Sequence, residues 1–357
     1  MMVYVQRLWG WFNGEILAVP GRVIAMLFFI ALVCFPAIST ESFYLRIITV
    51  ATIFALFAVS WDVLAGYCGQ LSLGHAVFFG VAAYVAGALN KAVGLPPVFT
   101  IPLGAMAGVV TGLVVGIPAL RLRGMYLALV TLAFPIILTA GLMAFPHITG
   151  GEIGLYSLDR LSESRLSSYY IVFMVFVISV FIMYTFTDPE NKYLRFGVIL
   201  QAIREDEIAT RLAGIHTVRY KLTAFAVSGF FAGIAGGLYA HYVRVAGPSM
   251  LEMSFSFQVI LWTVFGGMAT IYGAVLGTFA LVVLMEVLGL FEFTSSIRYF
   301  VLPVILIITL VFMPQGISVW VLDKIEIRCP RCKLVNAATR TKCRACRADL
   351  RPEGRKR

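Results

Sequence analysis

Apolar residues along this chain come in continuous runs of about twenty positions, not in strand-like alternation. The runs lie near 22–38, 44–64, 71–90, 97–117, 124–145, 168–187, 222–243, 256–272, 273–291 and 298–313. A spanning helix needs about 20 mainly apolar residues, and only helices or closed barrels satisfy their backbone groups in lipid. Continuous runs exclude a barrel, whose strands alternate. The pattern predicts an all-α polytopic membrane protein of about ten transmembrane helices. Gly266, Gly267, Gly273 and Gly277 leave 256–291 open between two spans split at Gly273 and one broken or re-entrant element. The first run, followed by Ala37 and Ser39, imitates a signal peptide. Its basic leader of some 22 residues is long for one, so the run is taken as an anchor.

The polar positions between runs set the orientation. Short cytoplasmic loops carry an excess of Lys and Arg. With Arg7 and Arg22 inside, ten spans also place inside Arg121 and Arg123, and then Lys192, Arg195, Arg204, Arg211, Arg219 and Lys221. The loop from Pro146 to Ser167 falls outside, where Glu152, Asp159 and Glu163 offset Arg160 and Arg165. Both termini are expected in the cytoplasm.

Composition changes this picture at one end only. Of 357 residues 60% are hydrophobic and 13% charged, too few charges to cover a soluble surface, where roughly 25% is usual. Residues 1–313 hold 16 basic and 14 acidic side chains, whereas residues 314–357 hold 12 and 4, so the net charge of +10 is mostly in the tail. Three regions follow: a cytoplasmic segment 1–21, a transmembrane domain 22–313 with a long loop at 188–221, and a basic cytoplasmic tail 314–357. No internal repeat or low-complexity segment stands out.

Two stretches of the body depart from plain lipid-facing helix. Gly66, Gly69, Gln70, Ser72, Gly74 and His75 cluster at the entrance to a span, and Gly266, Gly267 and Gly273 repeat the character later. Glycine permits close helix approach, and polar groups in a membrane face the bundle or a water-filled path. These residues are candidates for a translocation pathway or hinge, with tight packing and interhelical hydrogen bonding as the alternative. Glu286 is expected near the outer interface beside a partner such as Arg298, and His241 and Gln258 at hydrated span ends.

The loop 188–221 is polar for about 34 residues, long enough to hold a helix. Composition predicts one from Ile203 to Ala213, with Ile208 and Leu212 four apart, acids early and Gly214 as its stop. A short amphipathic helix offered to the cytoplasm suits docking in another protein's groove. A solvated juxtamembrane helix is the alternative.

Several of these segments carry a family resemblance. The run Gly66 to Gly80, the run Leu120 to Phe134 (LRLRGMYLALVTLAF), Thr149-Gly-Gly151 with Gly154-Leu155, and the loop Arg204 to Gly214 occur in order over roughly residues 20–313. Together with Gly266-Gly267 and Gly273 they resemble the LivM-type branched-chain amino acid ABC transporter permeases. The resemblance implies a non-catalytic, multi-pass subunit of a prokaryotic cytoplasmic (inner) membrane, paired with a second, LivH-like permease. It further implies two cytoplasmic ATPase subunits that bind ATP and an extracytoplasmic amino-acid-binding protein. Arg204, Glu205, Asp206, Glu207, Ala209 and Gly214 would then form the ATPase-coupling segment. The broad class has a Glu-Ala-Ala pattern ahead of a glycine, of which Ile208-Ala209-Thr210 before Gly214 keeps only Ala209 and Gly214. No Gly-x-x-x-x-Gly-Lys-Ser/Thr phosphate loop occurs in the chain, as suits a subunit that borrows its ATPase.

The tail holds Cys329-x-x-Cys332 and Cys343-x-x-Cys346, ten residues apart. Four thiolates from two such turns suit tetrahedral Zn2+, and a reducing cytoplasm disfavours disulfides. Iron in a rubredoxin-like site and transient redox chemistry are the alternatives. The segment resembles a short zinc ribbon, which the permease family does not ordinarily carry. Its basic residues suit anionic lipid, and nucleic acid is disfavoured because only Trp320 offers a stacking surface. Competing functions are an ABC permease for urea, short amides or another small polar solute, and a membrane sensor with the zinc ribbon as output. A channel or ion-coupled transporter lacks the buried acid and base pairs it would need.

Overall fold

The apolar runs fold as helices in a computed structural model of the chain, in which residues 20–38, 41–122, 124–189, 195–290, 295–332, 335–343 and 346–350 are described. Arg7, Arg123 and Lys192 of the charge argument lie outside the described residues, as do the side chains of Arg22 and Arg298. The chain divides into two units, one of Glu41–Gly316 and one of Met1–Thr40 with Ile317–Arg357. The first apolar helix, α1 (Pro20–Ile38), thus belongs to the same unit as the tail.

Through the larger unit run α2 (Ser42–Asp62), α3 (Ala76–Val93), α4 (Pro97–Ala119), α5 (Met125–Ala144), the one-turn α6 (Pro146–Thr149), β1 (Leu155–Tyr156) and α7 (Arg165–Thr187). There follow α8 (Phe196–Glu205), α9 (Glu207–Leu212), α10 (Thr217–Val243), β2 (Val245–Ala246), α11 (Met253–Gly266), α12 (Ile271–Leu290) and α13 (Ser295–Phe312). Eight described helical segments are long and apolar enough to span a membrane, and Val23–Ala37 and Met253–Gly266 are shorter apolar helices. The difference from ten has local causes. The expected first span, 22–38, is among the described residues an apolar helix shorter than a span, Val23–Ala37. The expected break at Gly273 lies instead at 267–270, which leaves α11 only 14 residues long, about 21 Å. Beyond its end α2 runs on through a π turn, Val63–Tyr67, into irregular chain, and the span expected from 71 begins at Ala76.

From Ala51 onward α2 is buried on every side, the mark of a helix apolar all round. It is the axis of the unit, flanked by α7, α10, α11 and α12. Small residues carry the other main contact. A Cβ on Gly108 of α4 would strike the Gly229 carbonyl of α10, and one on Gly229 would strike the Gly108 carbonyl. Such reciprocal close approach is how membrane helices pack without a hydrophobic drive between them. The pair β1 and β2, antiparallel with Leu155 opposite Ala246, joins the 145–164 connection to the segment after α10.

In the smaller unit α14 (Ile317–Ile325) packs on α1 and leads into an antiparallel hairpin of β3 (Glu326–Arg328) and β4 (Val335–Ala337). The Gly21 N–H donates to Glu326 Oε1 at 2.8 Å.

Candidate coupling site and metal centre

The predicted helix from Ile203 to Ala213 is interrupted. Asp206 adopts an extended conformation (φ −152°, ψ 103°), ending α8, and its Oδ1 accepts the Ile208 and Ala209 N–H groups at 2.8 and 3.0 Å. An aspartate that caps the next helix cannot also continue the last, so two helices form here, not one. The expected stop is where the sequence puts it: Gly214 has φ +83° and its N–H donates to the Arg211 carbonyl at 3.0 Å.

Glu207 anchors α9 to the start of α10. Its carboxylate accepts from Lys221 Nζ at 2.7 Å, Arg211 Nη2 at 2.8 Å and Thr217 Oγ1 at 3.3 Å. Partial burial pushes its pKa up, but the Lys221 and Arg211 contacts outweigh this and hold it below its ordinary value. These are the ion pairs found among the described residues. Glu207 is therefore engaged within the subunit, while Ile208 (60% exposed) and Leu212 (84% exposed) project from α9 with Ala209 also exposed. Glu205 and Asp206 are exposed as well.

Arg204 points the other way. Its Nη1 donates to the Gly66 carbonyl in the π turn at 2.6 Å, and its backbone and stem lie against Gly69, where a Cβ would come within 3.2 Å of Arg204 Cγ. Gly69 also requires its positive φ of +70°. From the opposite side the break at 267–270 closes on the same turn, with the Ala269 N–H donating to Asp62 Oδ1 at 2.7 Å and Gly66 held between Asp62 and Ala269. Gly266 and Gly273 meet backbone to backbone across that break, and Gly267 sits at φ +119°. Thus the two glycine clusters, far apart in sequence, converge on one junction together with the end of α8.

Gln70, Ser72 and His75 are all buried within the subunit. The Ser60 hydroxyl donates to the Phe57 carbonyl at 2.6 Å and so accepts from His75 Nε2 at 3.0 Å, while the imidazole stacks on Phe57. Gln70 Nε2 donates to the Cys68 carbonyl at 3.3 Å, and Trp61 Nε1 donates to the Ser72 carbonyl at 2.8 Å. Gly74 lies against the Thr131 backbone. Around them the non-helical chain finds side-chain acceptors: the Leu73 N–H meets Thr131 Oγ1 at 3.0 Å and the Ala76 N–H meets Ser256 Oγ at 2.9 Å. Irregular backbone at membrane depth requires this satisfaction.

One expectation changes, and one residue joins the site. His241 is fully buried, not hydrated: Nδ1 donates to the Asp159 carbonyl at 2.9 Å, and Nε2 accepts from Thr100 at 2.7 Å. Asp62 enters the site although sequence reasoning passed over it. The signal was there, since it is the one carboxylate inside the run 44–64 and lies four residues before Gly66.

In the smaller unit Cys329, Cys332, Cys343 and Cys346 meet, their four Sγ atoms all within 4.8 Å of one another. The pairs Cys329–Cys346 and Cys332–Cys343 are each 3.5 Å apart. A tetrahedral metal with bonds of about 2.3 Å separates its sulfurs by about 3.8 Å, so the set fits a metal ion with small adjustment. Backbone N–H groups of Cys332 and Arg331 aimed at Cys329 lower its thiol pKa and favour the ligating thiolate. Asn336 Nδ2 approaches Cys343 Sγ at 3.6 Å. Apart from Cys329 and Cys343, Leu350 is the one buried residue of this cluster, so thiols stand where a hydrophobic core would be.

Comparison with known proteins follows the same division. The family model described as branched-chain amino acid transport system, permease component, matches residues 43–310, within the larger unit. The chain is 30% identical over 302 residues to the high-affinity branched-chain amino acid transport system permease protein LivM of Salmonella typhimurium, covering 76% of this chain and 69% of that protein. It is 30% identical over 325 residues to the Escherichia coli LivM protein, with 82% and 72% covered. The LivH permease protein of Salmonella typhimurium is 23% identical over 290 residues, with 76% and 92% covered.

Proposed function

The chain belongs to the branched-chain amino acid transport system permease family, and from that premise we propose how its own residues serve ATP-driven import. It is a non-catalytic, multi-pass membrane subunit of an ABC importer for branched-chain amino acids. It forms the translocation pathway with a LivH-like permease in the cytoplasmic (inner) membrane, with both termini cytoplasmic. Two ATPase subunits bind ATP on that side, and an extracytoplasmic binding protein delivers the amino acid.

One observation carries the mechanism: the segment between α7 and α10 touches the break in α2 through Arg204. In the proposed cycle α9 docks in the ATPase through Ile208, Ala209 and Leu212, a face left exposed among the described residues that fits a groove. Glu207 ties α9 to α10, so force on α9 reaches a transmembrane helix. Arg204 ties α8 to the π turn, so the same force reaches the junction of Gly66, Gly69, Asp62 and Ala269. Gly74 and His75 follow on the irregular chain, and Gly266, Gly267 and Gly273 form the opposing hinge. π turns and glycine breaks inside helices concentrate at moving parts because they offer alternative hydrogen-bond registers.

The smaller unit binds Zn2+ through Cys329, Cys332, Cys343 and Cys346. The metal supplies a cross-link that closes both knuckles, and its basic surroundings contact anionic lipid headgroups. The function is tested by co-purifying the chain with its second permease and ATPases and measuring ATP-dependent leucine uptake in liposomes supplied with the binding protein. Arg204→Ala should preserve assembly and ATP hydrolysis while cutting uptake at least tenfold. Unchanged uptake would remove Arg204 from the coupling path.

A further inference from the structure

The four helices that meet at the coupling junction carry a second feature at their other ends. α2 reaches the junction at Gly66 and begins near Arg46; α7 ends at Thr187 and begins at Arg165. α10 starts beside Glu207 and finishes past Tyr239, and α12 starts beside Ala269 and extends to Glu286. The twenty residues from Arg46 to Gly66 rise about 30 Å, the thickness of a hydrocarbon core. The far ends therefore lie on the opposite side of the membrane from the ATPase-facing segment.

There they border an open cavity of about 540 Å³, in whose wall Arg46, Arg160, Glu163 and Arg165 are exposed. Its wall holds four guanidiniums, those of Arg46, Arg160, Arg165 and Arg244, against two carboxylates, Glu163 and Glu286. Among the described residues none of the four arginines is in an ion pair. Two are held in place by backbone: Arg244 Nε donates to the Leu158 carbonyl at 2.9 Å, and Arg165 Nη1 to the Ser42 carbonyl at 3.4 Å. Apolar surface is present beside them, from Val50, Val243 and the rings of Tyr239 and Tyr242.

Four positive charges against two negative ones around one concave space leave a positive excess that favours an anionic ligand, and planar guanidinium is the side chain best matched to a carboxylate. The volume is in the range of small-molecule sites, about 300–1,000 Å³. Carboxylates on the same wall supply a place for a cation within the same ligand, and the valine and tyrosine surfaces a place for an apolar side chain. We infer that this cavity is an entry site for a zwitterionic α-amino acid, with the arginines taking its carboxylate and Glu286 its ammonium. The inference rests on the import function proposed above and adds where the solute first meets this subunit.

The test uses the assembled transporter in nanodiscs of neutral phosphatidylcholine, without binding protein or nucleotide, and measures equilibrium binding of leucine. Leucinol, which lacks the carboxylate, and 4-methylpentanoate, which lacks the ammonium, serve as competitors. Leucinol should fail to displace leucine at concentrations where leucine displaces itself. The double variant Arg46→Gln with Arg160→Gln should weaken leucine tenfold or more, and Glu286→Gln should weaken leucine while leaving 4-methylpentanoate unaffected. Equal competition by leucinol, measured on the unsubstituted protein, would overturn the assignment even if a variant failed to assemble. So would variants that keep leucine affinity and lose only binding-protein docking, which would make the arginines a docking surface. Binding that appears only with anionic lipid would identify a headgroup site and likewise overturn it. ATP-driven uptake by the unsubstituted complex is measured alongside. Its absence defeats the import reading, whereas uptake with unchanged leucine affinity in the variants defeats only the entry site.

Discussion

The two units of this chain solve the problem of holding a fold together in opposite ways. Glu41–Gly316 buries long apolar helices around α2 and brings α4 and α10 to backbone contact through glycines. The smaller unit places four thiols at its centre with Leu350 beside them. An apolar core grows with the number of helices that share it, whereas a short hairpin of two knuckles has too little surface to bury and depends on a cross-link. The family match, which ends at residue 310, follows the same line. What the difference teaches is that the body is stabilised by shape and the appendage by chemistry, so each should fail under a different insult.

The largest expected effect is on the appendage. Structural zinc contributes on the order of 10 kcal/mol to the folding of small metal domains. Chelation, or Cys329→Ser with Cys343→Ser, should abolish the bound metal and expose the tail to proteolysis at arginine and lysine. The transmembrane body should keep its melting temperature, and a metal content of one per chain in the double variant would refute this ligand set. The body should fail instead to added volume. Gly108→Leu places a side chain where α10 backbone lies, and overpacking of this kind costs roughly 1–3 kcal/mol or more. Its signature is a lowered melting temperature of the body with zinc content unchanged.

The next effect sharpens the one place where the body relies on charge. Glu207→Gln leaves Lys221, 8% exposed, without its counter-ion. A partly exposed pair of this kind is worth about 1–2 kcal/mol, well below a fully buried one. Because the Glu207 pKa is lowered in the folded chain, the stabilisation is complete above its ordinary value of 4.5 and disappears as pH falls through the lower folded value. Melting followed between pH 7 and pH 3 should show that loss in the unsubstituted protein and a shallower dependence in Glu207→Gln. The smallest effect belongs to Gly214→Ala, about 1 kcal/mol from forcing a left-handed conformation on a residue with a Cβ. It is read as a modest drop in coupling, since the space around Gly214 is open.

Sequence pattern reveals the helices of the body because membrane burial leaves long apolar runs, and it reveals the knuckles because metal ligation fixes cysteine spacing. It also marks Gly214, whose role is local. It does not reveal the break at Asp206, where good helix-forming neighbours conceal a residue that caps the next turn instead of extending the last. Nor does it reveal that Arg204 meets Gly66 and Ala269 meets Asp62, because contacts separated by 138 and 207 residues leave no periodic trace. His241 illustrates the same limit: a polar residue near a span end reads as hydrated, yet Thr100 and Asp159 reach it and seal it from water.

The central claim is that ATPase motion reaches the membrane helices through Arg204 and the π turn at Gly66. It is tested most directly by fixing that contact. With cysteines introduced by Arg204→Cys and Gly69→Cys on a background lacking the native cysteines of the body, cross-linking should abolish ATP-driven leucine uptake in the reconstituted transporter. Reduction should restore it to the level of the same variant never cross-linked. Uptake that continues with the bond closed at the rate of the same variant never cross-linked would contradict the account.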